Sequence, residues 1–454
     1  MRPHDPPPLA EPPPDHSGLS VEAQRRLTSE YRPWRKLRYI AEELGVDPIA
    51  AWTFVKARRR HAWRELPLAR HEGGNFGLCH HPGMARPLFL IDRASGDDLI
   101  ARGARAAFKP TVLKRLSSLF GQGETLPSRL QVKTAMFEAA ESSIIEGASA
   151  TREQALDLLR SGRAPKSVGE RMILNNHHAM ALAKQRLAEP LSLDLLLELQ
   201  SIVTAGTLDQ PDASGRFRTA SEDVRVVDTR DGSTIHTPPP ADRVVPMLRQ
   251  VCDFANTNRG TGDFLHPIVA ASILHFLVGY VHPFVDGNGR TARAIFYWCA
   301  LRHGYALFEF LSISEIIRKG FARYPQAFVD AVTDEGDLTY FILYHLDVIE
   351  QALDRFAEHL RREEQKIERS ERLLRIAKGL NLRQRLLLEH AIRHPATEYT
   401  VKSHSNSNGI TLMTARTDLD ALVRLRLMTT SKRVREVIYH VSPTLKPRLA
   451  RKGL

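Results

Sequence analysis

HPFVDGNGRTAR, residues 282–293, is the stretch that decides how this chain is read. Before it runs Ile268 to Val281, the longest apolar run of the sequence, which carries His275 inside it. After it, Arg290, Arg293, Ile295, Phe296 and Cys299 continue a basic, then apolar, helical pattern. Within the stretch, His282 stands four residues before Asp286, which opens a Gly287-Asn288-Gly289 turn. The two glycines let successive backbone N–H groups converge on one point, and the positive end of the following helix adds its partial charge, which is the pattern of an anion site. Asp286 is a hard oxygen donor for a divalent cation shared with phosphate oxygens. An imidazole titrates near neutral pH, so His282 can take a proton from an incoming hydroxyl. Singly, these residues fit a core histidine and an ordinary turn. Those readings leave unexplained why base, carboxylate, glycines and two arginines three apart come together.

With every defined position filled, the stretch resembles the signature of the Fic family, HPFx[DE]GNGRxxR. The resemblance implies transfer of AMP from ATP, with Mg²⁺, to a Ser, Thr or Tyr hydroxyl of a protein. By the same resemblance His282 is the base, Asp286 the Mg²⁺ ligand, and Asn288 with the Gly287 and Gly289 amides the cradle for the α- and β-phosphates. Arg290 and Arg293 would neutralise the outer phosphates, and Phe284 would anchor the loop in the core.

Further back, the segment from about Gln131 reads as a helix with Val132, Met136, Ala139, Ala140 and Ile144 on an apolar stripe and Gly147 as its stop. Glu146 falls at the end of that helix where the dipole favours a cation. Read alone, it is an exposed residue before a helix-stop glycine. Ser142 to Gly147, SSIIEG, also has the Ser-x-x-x-Glu-Gly spacing of the inhibitory motif of the Fic family. There the glutamate pairs with the second arginine of the signature, here Arg293, and blocks the γ-phosphate. Between the two segments, Val224 to Val227, the Asp231-Gly232 turn and Ile235 to Thr237 read as a β-hairpin. By resemblance it is a flap that pairs with the target protein. Ser314, Tyr324 and Asp337 to Thr339 are weaker landmarks, so the resemblance spans roughly residues 125 to 355.

At 454 residues the chain has room for two or three cores. Its three cysteines, Cys79, Cys252 and Cys299, form no pair or metal pattern, which suits a reduced, cytoplasmic setting. Cys79-His80-His81 has no second cluster to complete a zinc site. The apolar run before His282 is too short to span a bilayer, and no membrane association is expected. The expected order is a disordered proline-rich tail over 1–18, a helical region over 19–120, a Fic-type core with its inhibitory helix over 121–360, a charged helical connector over 361–379, and a last domain over 380–445. In the helical region, helices are predicted at Val21 to Glu30, Trp34 to Leu44 and Pro48 to Arg58, the last opened by Asp47 as cap and Pro48 at its first position. In the last domain, helices are predicted at Leu380 to His394 and Thr411 to Leu425, with a polar loop at His404 to Gly409. A short hairpin with a basic tip at Lys432-Arg433 follows. That order resembles a winged helix. The formal charge of +12 permits DNA binding, while such folds also serve as docking and dimer modules.

The expectation is therefore a mainly α protein and a protein adenylyltransferase held back by Glu146, able to modify itself. Two alternatives stay open: removal of AMP by the same site, and a DNA-binding regulator whose core senses nucleotide. A homodimer is compatible with all three.

Overall fold

The computed structural model describes residues 6–7, 19–95, 126–227, 232, 234–257, 264–374, 380–433 and 436–445. Most of the proline-rich start, Asp231 of the expected hairpin turn and Val434 of the expected basic-tipped hairpin lie outside these. The protein is mainly helical, with three two-stranded antiparallel hairpins among the described residues. In chain order the first elements are α1 (Val21–Thr28), α2 (Trp34–Glu43), α3 (Pro48–Arg60), β1 (Trp63–Ala69), β2 (Asn75–Cys79) and α4 (Ala85–Ser95). Next come α5 (Leu126–Ile145), α6 (Arg152–Ser161), α7 (Val168–Gln185), α8 (Leu193–Thr204), β3 (Val226–Val227), β4 (Thr234–His236) and α9 (Ala241–Asn256). The signature lies between α10 (Pro267–Val281) and α11 (Asn288–Arg302). After it run α12 (Ile313–Lys319), α13 (Arg323–Thr333), α14 (Thr339–Leu374), α15 (Leu382–Arg393), α16 (Val401–Asn408), α17 (Leu412–Arg424), β5 (Met428–Arg433) and β6 (Glu436–Val441).

The chain divides into two compact units. One comprises Met1–Asp92, His178–Tyr305 and Ile316–Gln351, the other Arg93–His177, Ala306–Glu315 and Ala352–Leu454. The centre of the first unit is the α10–α11 pair. Ile268, Ile273, Leu274 and Phe276 on α10, and Ala294, Ile295, Phe296 and Trp298 on α11, have no exposed surface. A helix apolar all round is a buried helix, so the run before His282 becomes a core element. Among the described residues no helix is long and apolar enough to cross a membrane.

The first three helices start where the sequence places them, and Asp47 caps α3 by accepting from the Ala50 amide at 2.7 Å. The region is tied to the same unit as the signature: Arg35 pairs with Asp330 through both carboxylate oxygens at 2.7 and 2.8 Å. Arg59, buried on α3, donates to Tyr340 Oη at 2.6 Å and lies 3.7 Å from the Tyr31 ring centre. One departure from the helical reading is the β1–β2 hairpin. Its first strand has no β-branched residue and contains Pro67, which falls at the irregular register between Glu65 and Ala69, where a missing N–H is tolerated.

In the second unit, α5 buries Met136, Ala139 and Ala140 with Ala155 and Leu159 of α6. It begins before Gln131, at Leu126, and ends at Ile145. Gly147 follows with a positive φ of 89°, so Glu146 stands just past the last turn. The C-terminal segment forms its own core from Leu387, Leu388, Leu419, Leu422, Met428 and Tyr439. Here the expected polar loop is corrected: His404 to Asn408 belong to α16. VKSHSNSN has no apolar stripe, but Thr400 and Ser403 make a reciprocal capping box and Gly409 closes the helix at a φ of 64°. Tertiary packing supplies the rest. Lys402 Nζ donates to the Gly162 carbonyl at 2.8 Å and Asn406 Nδ2 to the Arg160 carbonyl at 3.0 Å, so α16 caps the end of α6.

Candidate active site

Helix α10 ends at His282, a non-glycine residue in the left-handed region at φ 47°. Histidine tolerates that region better than most side chains, but at a cost the surroundings must cover. Its amide closes the helix on the Val278 carbonyl at 3.0 Å. Its Nδ1 lies 3.2 Å from the Gly279 carbonyl oxygen, an acceptor only, so Nδ1 carries the hydrogen and the basic lone pair belongs to Nε2. The side chain is half-buried.

The loop then turns on Phe284, which has no exposed surface and stacks on Phe217 at 5.6 Å between ring centres. Asn288 reaches back and closes this turn. Its Oδ1 accepts from the Phe284 amide at 3.0 Å and its Nδ2 donates to the Phe284 carbonyl at 2.8 Å. The Asn288 side chain thus shapes the loop. Gly287 caps α11 at φ 87°, a conformation that requires glycine here, and a Cβ at that position would sit 3.0 Å from Thr204 Cγ2. The amides of Asn288, Gly289 and Arg290 open the helix and have no carbonyl one turn earlier to bond.

Asp286 is the exposed charge of the loop, with 45% of its side chain accessible. Its Oδ1 accepts from the Gly287 amide at 2.6 Å and its Oδ2 pairs with Arg290 Nη2 at 3.0 Å. Arg290 itself has no exposed surface, and its Nη1 donates to the Val203 carbonyl at 3.1 Å. Its charge is engaged with Asp286 and the end of α8, so in this structure it braces the carboxylate. Arg293, one turn further, is 1% exposed. Its charge, after burial and His345, helps keep the pKa of His275 well below the usual histidine range. His275 belongs to a buried chain. Ser272 Oγ meets His345 Nδ1 at 2.9 Å, His345 Nε2 meets His275 Nδ1 at 3.1 Å, and His275 Nε2 meets Tyr324 Oη at 2.8 Å. Burial holds His345 down at about 3, so both imidazoles are neutral at physiological pH.

The first unit thus brings together the signature residues from His282 to Arg293. Glu146 belongs to the second unit. The hairpin read from sequence is present as β3 and β4, with Val226 opposite His236 and Val227 opposite Thr234. Two residues that hold the loop carried no such role in the sequence reading. Gln200, wholly buried on α8, donates to the Asp286 carbonyl at 3.2 Å. Arg218 donates through Nε to the His282 carbonyl at 2.8 Å. Their separation from the signature hides them. Among the described residues no cluster of three or more metal-ligating side chains occurs.

The model of the Fic/DOC family matches residues 190–300, which contain Gln200, Arg218 and the whole signature loop. The protein adenylyltransferase Fic of Drosophila willistoni is 29% identical over 228 residues, covering 49% of this chain and 42% of that protein. The protein of the same name from Nematostella vectensis is 28% identical over 188 residues, covering 40% of this chain and 41% of its own length. The chain therefore spans less than half the length of these curated relatives. A solved Fic family protein from Desulfovibrio desulfuricans G20 aligns over 80% of this chain and 97% of its own, at 19% identity and a TM-score of 0.45.

Proposed function

We propose that this chain is a protein adenylyltransferase that moves AMP from ATP to a Ser, Thr or Tyr hydroxyl, with self-modification as a side activity. The observation that carries the reading is one loop holding an imidazole whose Nδ1 is spent on Gly279 and a half-exposed carboxylate at the head of a helix. In the proposed reaction the target hydroxyl gives its proton to His282 Nε2 as its oxygen bonds the α-phosphorus. The bond from the α-phosphorus to the bridging oxygen breaks, and pyrophosphate leaves. The opening amides of α11 would receive the phosphate charge in a geometry fixed before the reaction starts.

The donor set fits Mg²⁺: one accessible carboxylate, Asp286, with phosphate oxygens completing the shell. When bound, the ion would offset the negative charge of the phosphates. Arg290 would keep Asp286 oriented. Arg293 is assigned to the outer phosphates by its place in the signature, and Glu146 to inhibition by its place in SSIIEG. The C-terminal segment is read as winged-helix-like, with DNA as its candidate partner.

The test is incubation of the purified chain with each labelled nucleoside triphosphate and Mg²⁺, followed by intact mass. A gain of one AMP supports the proposal. No gain with any nucleotide, in wild type and in Glu146→Gly, refutes it.

A further inference from the structure

The segment 215–218 holds the signature loop directly through Phe217 and Arg218 and indirectly through Gln200, and each direct contact is to the loop's backbone or to its anchor Phe284. The Gly215 amide donates to Gln200 Oε1 at 2.6 Å, and the other end of that same amide group, Nε2, donates to the Asp286 carbonyl at 3.2 Å. Phe217 stacks on Phe284. The Arg218 amide donates to the Pro283 carbonyl at 2.9 Å, and its guanidinium reaches the carbonyls of His282, Val281 and Pro239. Arg218 is 7% exposed, and burial presses its pKa below the usual arginine value, with Glu222 acting in the opposite sense. A buried cation spent on three carbonyls at the end of an apolar helix is an expensive way to close a turn. The left-handed backbone at His282 supplies the reason, because a strained residue persists only where its surroundings over-determine it.

We infer that Gln200, Phe217 and Arg218 form a strap that positions His282 and Asp286, so that Arg218 sets the rate of transfer without touching nucleotide or target. The inference rests on the function proposed above. The planar fork of the guanidinium serves three carbonyls at once, whereas a lysine ammonium in the same place is a point charge that cannot reproduce the fan. A shift of about 1 Å in a reacting group costs on the order of 10²-fold in rate. The amides at the head of α11 are not bonded by Arg218, so phosphate binding is left largely in place.

The experiment compares full-length wild type, Arg218→Lys, Arg218→Met and Gln200→Glu. Gln200→Glu keeps the acceptor for Gly215 and loses the donor to Asp286. Three quantities are measured: nucleotide affinity, self-modification rate at saturating ATP and Mg²⁺, and the hydrogen exchange of amides 284–290. The expected result for Arg218→Lys is a rate roughly 10- to 100-fold lower with nucleotide affinity changed by no more than about threefold. Arg218→Met should be slower still, and exchange in the loop should be faster in all three variants. An unchanged rate in Arg218→Lys, or rate and affinity falling together in every variant, overturns the strap. If wild type and Glu146→Gly transfer nothing, the proposed function fails by itself. The strap is then judged on exchange alone: faster loop exchange in Arg218→Lys sustains it and wild-type exchange overturns it.

Discussion

Replacing Gly287 by alanine separates backbone strain from contact, because a second glycine flanking the same helix provides the reference. Gly287 stands at the N-terminal end of α11 with φ 87°, and Gly304 stands just past its C-terminal end with φ 85°. A Cβ at Gly304 would meet nothing within 4 Å, whereas one at Gly287 would lie 3.0 Å from Thr204 Cγ2 and 3.3 Å from Val203 Cγ1. Gly304→Ala therefore carries strain alone, about 1–2 kcal/mol for a left-handed non-glycine residue. Gly287→Ala adds overpacking of roughly 1–3 kcal/mol, for a total near 2–5 kcal/mol. At about 2–4 °C per kcal/mol for a unit of this size, Gly304→Ala should lower the melting temperature by a few degrees and Gly287→Ala by on the order of 10 °C. The two should part further in activity. Relief of the contact pushes the loop away from α8, and with it Asp286, whose carbonyl is held by Gln200 of that helix. Self-modification by the folded fraction should fall by about 10²-fold in Gly287→Ala and stay near wild type in Gly304→Ala. The assay is differential scanning calorimetry with intact-mass rates at a temperature where both variants are folded. Equal melting and equal rates in the two variants would refute the argument that this turn admits only glycine.

His282→Ala should reduce transfer by about 10² to 10⁴ while nucleotide affinity, measured by equilibrium binding, stays close to wild type. Glu146→Gly should raise self-modification, and Arg293→Ala should abolish that gain in the double variant; equal activity of wild type and Glu146→Gly would reduce Glu146 to a helix-end residue. In the C-terminal segment Asp418 is buried, which alone would raise its pKa, but hydrogen bonds from His404, Arg383 and Asn381 outweigh burial and hold it at about 2. Because the folded value lies below the ordinary carboxylate value of about 3.9, the stability it contributes is present above pH ~4 and is lost as pH falls toward ~2, an effect on the order of 2–3 kcal/mol. Asp418→Asn should destabilise this segment at neutral pH and flatten its acid dependence in thermal scans from pH 2 to 5.

The sequence was most legible where local chemistry dictates conformation. Asp47-Pro48 marks a helix start and Gly147 a helix stop because capping acts within a few residues. The signature could be placed between two helices because the apolar run ends at His282 and glycines follow. What escaped was set by distance along the chain. Arg290 reads as a phosphate ligand from its charge, and only its complete burial and its bond to Val203 show it bracing Asp286, although the four-residue spacing from Asp286 already allowed that pair. Gln200 looks like one of several polar residues on α8 until Asp286 is brought beside it. The β1–β2 hairpin and α16 escaped for a shared reason: their residues have low propensity for the structure they adopt, and neighbours distant in sequence decide it.

The capping of α6 by α16 changes what a shortened chain can report. Removing the residues after 380 would strip the donors from the Arg160 and Gly162 carbonyls and uncover the faces of α5 and α6 on which α16 rests. A truncated protein with altered activity would then register the loss of a neighbour as well as the loss of a partner-binding domain, and the two would be indistinguishable in that one measurement. The coupling also runs in both directions. Any molecule that binds more tightly to the C-terminal segment when α16 is docked makes undocking of α5 and α6 harder by the same free energy, and a change at Ser142 to Gly147 that loosens α5 must weaken that molecule's binding equally.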